Sequence, residues 1–144
     1  MPAPDPSPGY EAILFFDGYC GLCDRFVSRV LADSQAGRFR FSPLQGETFR
    51  SVLERHPHLA RIDSMVVLEP RADGERLHLR SDASRFILAR LSGSGPMCAR
   101  LLGRVPHPMR DWGYRCVAAV RYRVFGTRQT CRVPTEKERL LFLP

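Results

Sequence analysis

The chain has 144 residues, 44% hydrophobic and 26% charged, enough for one hydrophobic core that needs no disulfide or metal staple. No apolar run nears the ~20 residues of a membrane-spanning helix, and the proline-rich start Met1 to Gly9 lacks the basic and apolar segments of a secretory signal. The net charge of +7 is segregated: residues 100–132 carry eight arginines against Asp111 alone, and the rest of the chain balances.

Residues 1–10 read as a flexible lead-in. Ala12-Ile13-Leu14-Phe15-Phe16 is an apolar run of the length of a buried strand. Gly18 and Gly21 then permit a tight turn into a helix whose apolar face is Leu22, Phe26, Val27, Val30 and Leu31, with Gly37 as its stop. Arg38-Phe39-Arg40-Phe41 alternates as a second strand ending at Pro43. Phe49, Val52 and Leu53 predict a short helix closed before Pro57, and Met65-Val66-Val67-Leu68 predicts a third strand.

Ala72-Asp73-Gly74-Glu75 carries a turn joining that strand to a fourth through Leu77 and Leu79. Ser81 or Asp82 caps a helix bearing Phe86, Ile87 and Leu91. The order β-α-β-α-β-β-α is a thioredoxin-like α/β core, assigned to residues 11–92. Residues 93–144 form an arginine-rich helical extension within the same domain of residues 11–144. Met97, Leu101 and Leu102 mark one of its helices, and Trp112, Cys116, Val117 and Val120 mark another.

Five cysteines make an odd set, which suits a reducing cytoplasm better than a secreted disulfide framework. Cys20-Gly21-Leu22-Cys23 sits between the first strand and the first helix. A thiol opening a helix meets unpaired amides and the positive end of the macrodipole, which lowers its pKa from about 8.5 toward ~3.5–7.5. The thiolate attacks a disulfide and the second thiol resolves the mixed disulfide. Cys20 is then the nucleophile and Cys23, one turn deeper, the resolving thiol.

Phe15-Phe16-Asp17-Gly18-Tyr19-Cys20-Gly21-Leu22-Cys23 resembles the signature of the DCC family of predicted thiol–disulfide oxidoreductases, named for an Asp and two Cys that match Asp17, Cys20 and Cys23. The resemblance continues at Phe41-Ser42-Pro43-Leu44-Gln45, Asp63-Ser64-Met65-Val66-Val67, Arg80-Ser81-Asp82-Ala83, Arg121-Tyr122-Arg123 and Gly126. It implies a thioredoxin-like fold and a redox role without specifying a substrate. Thioredoxins place a cis-proline against the redox pair, where it shapes substrate docking. Ile62-Asp63-Ser64 stands there instead, and a non-proline cis bond costs ~2.5–4 kcal/mol. Asp63 and Ser64 are therefore the substrate-adjacent candidates, in trans geometry.

Asp17 has two readings, a proton relay for Cys23 and a cap for the turn amides. Cys116, on the stripe of Trp112 and Val120, reads as a core thiol. The Arg100–Arg132 stretch suits an acidic partner, with Arg121 and Arg123 as docking residues. Tyr114 and Tyr122 lie in no nucleic-acid motif.

The combined expectation is a cytoplasmic oxidoreductase exchanging electrons with a disulfide-bearing protein or small thiol, without an organic cofactor. Two alternatives are a non-catalytic binding module using the arginine-rich tail and a structural zinc protein. The second has half a zinc-ribbon pattern and no second pair.

Overall fold

In a computed structural model of the protein, residues 9–33, 35–62, 64–126 and 134–144 are described. The core elements are β1 (Ala12–Phe16), α1 (Gly21–Leu31), β2 (Phe39–Pro43), α2 (Glu47–Arg55), β3 (Val66–Arg71), β4 (Gly74–Leu79) and α3 (Ser81–Leu88). The extension adds α4 (Gly95–Arg104) and α5 (His107–Phe125). The strands lie in the order β2-β1-β3-β4. β1 and β2 are parallel, while β3 runs antiparallel to both β1 and β4. This is the thioredoxin-like α/β arrangement that the element order implies.

The sheet is covered on both faces, so its central strands are apolar at successive positions rather than alternating. Ala12, Leu14 and Phe16 pack with Val27 and Val30 of α1 and with Phe86 and Ile87 of α3. Ile13 and Phe15 face the other way, onto Phe49 and Val52 of α2 and onto Leu59. A strand with period-two geometry thus feeds two cores at once. The rings of Phe15 and Phe49 in the second core have centres 5.1 Å apart.

Several boundaries differ from the sequence reading for local reasons. α1 stops at Leu31, and Gly37 lies in a separate turn of 3-10 helix, Ala36–Arg38. Neither Ser81 nor Asp82 caps α3; Arg80 occupies that position at φ 53 with no side-chain cap. Ser81 instead donates to Asp111 and accepts from Arg110, both on α5. Residues 1–8 of the expected lead-in lie outside the described residues, but Tyr10 packs on the second core with Arg40 over its ring.

The chain's last residues add an edge to the sheet. Phe41 donates its amide to Leu141 and accepts from Leu143, each at 2.8 Å, forming a parallel bridge between Phe41 and Phe142. Phe142 stacks on Phe41 at 5.6 Å and meets Phe16 edge-on at 6.2 Å. This segment covers the exposed side of β2, where unpaired backbone groups would otherwise face solvent. Phe142→Ala is expected to lower unfolding free energy by about 2 kcal/mol, read as a shift in the urea midpoint at unchanged slope.

Candidate active site

β1 delivers the chain to the site and α1 carries it away. Cys20 is the N-cap residue of α1, with extended backbone at φ −93 and ψ 122. Its amide donates to the carbonyl of Asp17 at 3.2 Å. Its Sγ accepts the amide of Cys23 at 3.5 Å, so one of the unpaired donors of the first helical turn points at sulfur. The helix N-terminus and this amide both turn positive partial charge toward the sulfur.

Cys23 is held in the opposite state. Burial, the negative charge of Cys20 and the hydrogen bond with it push the Cys23 thiol from an ordinary value of 9.0 to about 12, against the opposing pull of Arg121. The dithiol is therefore asymmetric, with the proton kept on Cys23.

Exposure corrects the expected depth of the two sulfurs. Cys20 has no exposed surface, whereas Cys23 is half-buried and borders a cavity. The reason is the end of α5, which lies across the start of α1. The amide of Gly21 donates to the Gly126 carbonyl at 3.2 Å, and the Arg25 guanidinium lies 5.5 Å from the Phe125 ring centre. A Cβ on Gly21 would stand 2.3 Å from the Phe125 carbonyl oxygen. Only glycine allows this approach.

Asp17 ties these parts together. Its Oδ1 accepts the Tyr19 amide at 3.0 Å and Gln45 Nε2 at 3.2 Å, and its Oδ2 accepts the Tyr122 hydroxyl. Arg121 Nη2 lies 3.5 Å from the same oxygen. Donation to Asp17, added to burial, raises the Tyr122 pKa. Burial opposes the charge on Arg121, but the hydrogen bond with Tyr122 and the nearness of Tyr122, Cys23 and Cys20 outweigh it and raise its pKa.

Arg121 is only 3% exposed, so its guanidinium is turned toward Asp17 and the thiols and is closed to an incoming partner. That removes it from the docking reading. Arg123 is exposed, as are Arg100, Arg104 and Arg115; Arg128 and Arg132 lie outside the described residues. Cys116 also departs from expectation. It is exposed, together with Trp112 at 70% and Val124 at 68%, because the stripe they share faces away from the core. Asp63 lies outside the described residues, and Cys131 does as well. Ser64 is buried, and among the described residues its Oγ has no hydrogen-bond partner.

Sequence reading missed Tyr114 and Tyr122 as parts of the site. Tyr114 accepts the amide of Met65 at 3.2 Å, which fixes α5 to the segment entering β3. For Tyr114 the available signal was its spacing with Arg110 and Arg121 along one helical face; Tyr122 lies off that face and left none. Among the described residues no group of three His, Cys, Asp or Glu side chains is placed to hold a metal ion. Among them, too, no helix is long and apolar enough to cross a membrane.

A strand-to-helix CxxC on this sheet, with one sulfur at a helix N-terminus, defines a thioredoxin-like redox protein. The family model described as DCC1-like thiol-disulfide oxidoreductase matches residues 14–127. An uncharacterized protein of Bacillus subtilis, YuxK, is 33% identical over 133 residues, covering 92% of this chain and 93% of the relative. A DCC family protein of Arabidopsis thaliana, named as chloroplastic, is 31% identical over 121 residues, covering 84% of this chain and 69% of the relative. No solved structure matches. The chain belongs to the DCC1-like thiol-disulfide oxidoreductase family, and its role is a redox one.

Two consequences are measurable. Gly21→Ala must displace the end of α5 and is expected to raise the alkylation rate of Cys20 severalfold, scored by mass mapping of the labelled thiols. The Cys23 shift also sets a pH dependence. Its folded-state value lies above the unfolded one, so its contribution to stability is complete below about pH 9 and is lost as pH rises toward 12. Thermal midpoints are expected to fall across that alkaline window, and less steeply in Cys23→Ser.

Proposed function

We propose that the protein exchanges two electrons with a disulfide of a protein or small molecule through Cys20 and Cys23, by way of a mixed disulfide. The observation that carries this reading is the division of the pair: Cys20 Sγ accepts a helix amide while the Cys23 thiol holds its proton up to about 12. Cys20 is the nucleophilic sulfur, and Cys23 is the partner with which it closes the protein disulfide. The dithiol carries both electrons, so the reaction needs no organic cofactor.

Asp17 acts as the turn cap. Both of its oxygens are engaged by the Tyr19 amide, Gln45 and Tyr122, an arrangement suited to holding the turn rather than passing protons. The location that fits is a reducing one, the cytoplasm. Cys98 and Cys116 are free and exposed, a state that such a compartment preserves. For an acidic partner the exposed set Arg100, Arg104, Arg115 and Arg123 is the docking face.

The test is reduction of a model disulfide by the reduced protein, followed by return of the oxidised protein with a thiol reductant. Wild type is expected to turn over, and Cys20→Ser and Cys23→Ser are each expected to fall to the uncatalysed rate. Equal rates for wild type and both variants would leave a thioredoxin-like binding module as the better reading.

A further inference from the structure

Beside Cys23 lies a cavity of about 560 Å³, a size typical of small-molecule sites. Phe16 and Met65 of the core form one wall, Leu22 and Phe26 of α1 a second, and Leu102 and Met109 of the extension a third. Cys23 is the cysteine in its lining, and Arg121 lines it as well. The extension thus turns what would be an open redox face into a largely apolar chamber with a sulfur in its wall.

One further feature speaks against an extended peptide as occupant. The backbone entering β3, next to the redox pair, has its Met65 amide already donated to Tyr114 of α5 and its Met65 carbonyl already accepting Arg80. A peptide strand therefore finds those groups taken. In the cavity wall, Gly113 sits within α5, where glycine costs about 1 kcal/mol relative to alanine. A Cβ built there meets nothing within 4 Å. Helix stability favours a side chain at this position, and the space is empty.

Resting on the redox reading above, we infer that the substrate is a small thiol with an apolar body, which binds in this cavity and couples to Cys23 rather than to Cys20. The thiolate of the substrate, RS⁻, attacks Cys23 Sγ of the Cys20–Cys23 disulfide. The S–S bond breaks and its electron pair leaves on Cys20, whose Sγ receives the Cys23 amide at the helix N-terminus. Access and leaving group select the same sulfur, since exchange is fastest where the attacked atom is reachable and the departing thiolate is stabilised.

A second substrate thiol then attacks the R–S sulfur, releasing RSSR, and its proton passes to Cys23. Two thiols are oxidised to one disulfide and the protein disulfide is reduced to the dithiol. In the reverse direction Cys23, giving up its proton, takes an R–S group from RSSR with release of one RSH, and Cys20 then attacks Cys23 Sγ, closing the protein disulfide and expelling RS⁻.

The test uses the oxidised full-length protein with hexanethiol and with glutathione, each quenched by iodoacetamide and mapped by mass spectrometry. The inference expects the hexylthio group on Cys23 and the alkyl label on Cys20. It also expects hexanethiol to open the disulfide at least about tenfold faster than glutathione at equal thiolate concentration, the scale of transferring about two methylenes out of water. Gly113→Leu fills the chamber and is expected to abolish that preference.

The wild-type adduct map stands even if the variant folds poorly. A hexylthio group on Cys20, or equal rates for the two thiols, overturns the inference and leaves the redox reading intact. Failure of Cys20 and Cys23 to form a disulfide under oxidants overturns both.

Discussion

The site is held by a buried carboxylate. Asp17 is 6% exposed and has partners from three directions: the turn amide of Tyr19, the side chain of Gln45 after β2, and Tyr122 with Arg121 on α5. A carboxylate at that depth is stable only when paired and hydrogen-bonded, and removing one partner of a buried pair typically costs 3–5 kcal/mol. The order of the redox turn and the placement of the extension therefore depend on one another. Loosening α5 strands the charge of Asp17, and losing Asp17 strands Arg121.

This coupling separates two properties that a redox thiol is usually thought to combine. The helix N-terminus acts on Cys20, which α5 covers, while the open space adjoins Cys23. In a dithiol that separation would hinder attack by the covered sulfur on an outside molecule. In the disulfide it does not, because the sulfur that is struck and the sulfur that departs are different atoms. An arrangement that conceals the sulfur at the helix N-terminus and presents its partner suits the oxidised form as the state that meets substrate.

The sheet, its connections and the tetrad were legible because they rest on local rules. β1 is an unbroken apolar run because both of its faces are covered, and the tetrad stands where strand gives way to helix. α5 was legible as a helix but not in its orientation. Trp112, Cys116 and Val120 form one apolar stripe and Tyr114, Ala118 and Arg121 line another, so periodicity supplied no way to choose between them. The inner stripe is the one containing charge, because Asp17 needs a counter-ion below the surface. Arg121 reads as a docking residue because it lies in a run of arginines, and composition says nothing about which member of a run is turned inward. Phe142 was invisible for a different reason. Its partner Phe41 is about a hundred residues away, and a single bridge leaves no repeating pattern.

Two glycines show how the extension is fitted to the core. At Gly21 the missing Cβ lets two backbones touch, since any side chain would collide with the Phe125 carbonyl. At Gly113 the missing Cβ does the reverse and keeps a volume open, since a side chain there would meet no atom. The first glycine is explained by packing alone. The second is not, because alanine at an interior helix position is the more stable choice by about 1 kcal/mol and nothing in the fold excludes it. The end of α5 closes over the start of α1 at Gly21 while the cavity adjoins Cys23, so the empty volume lies on the side of the accessible sulfur.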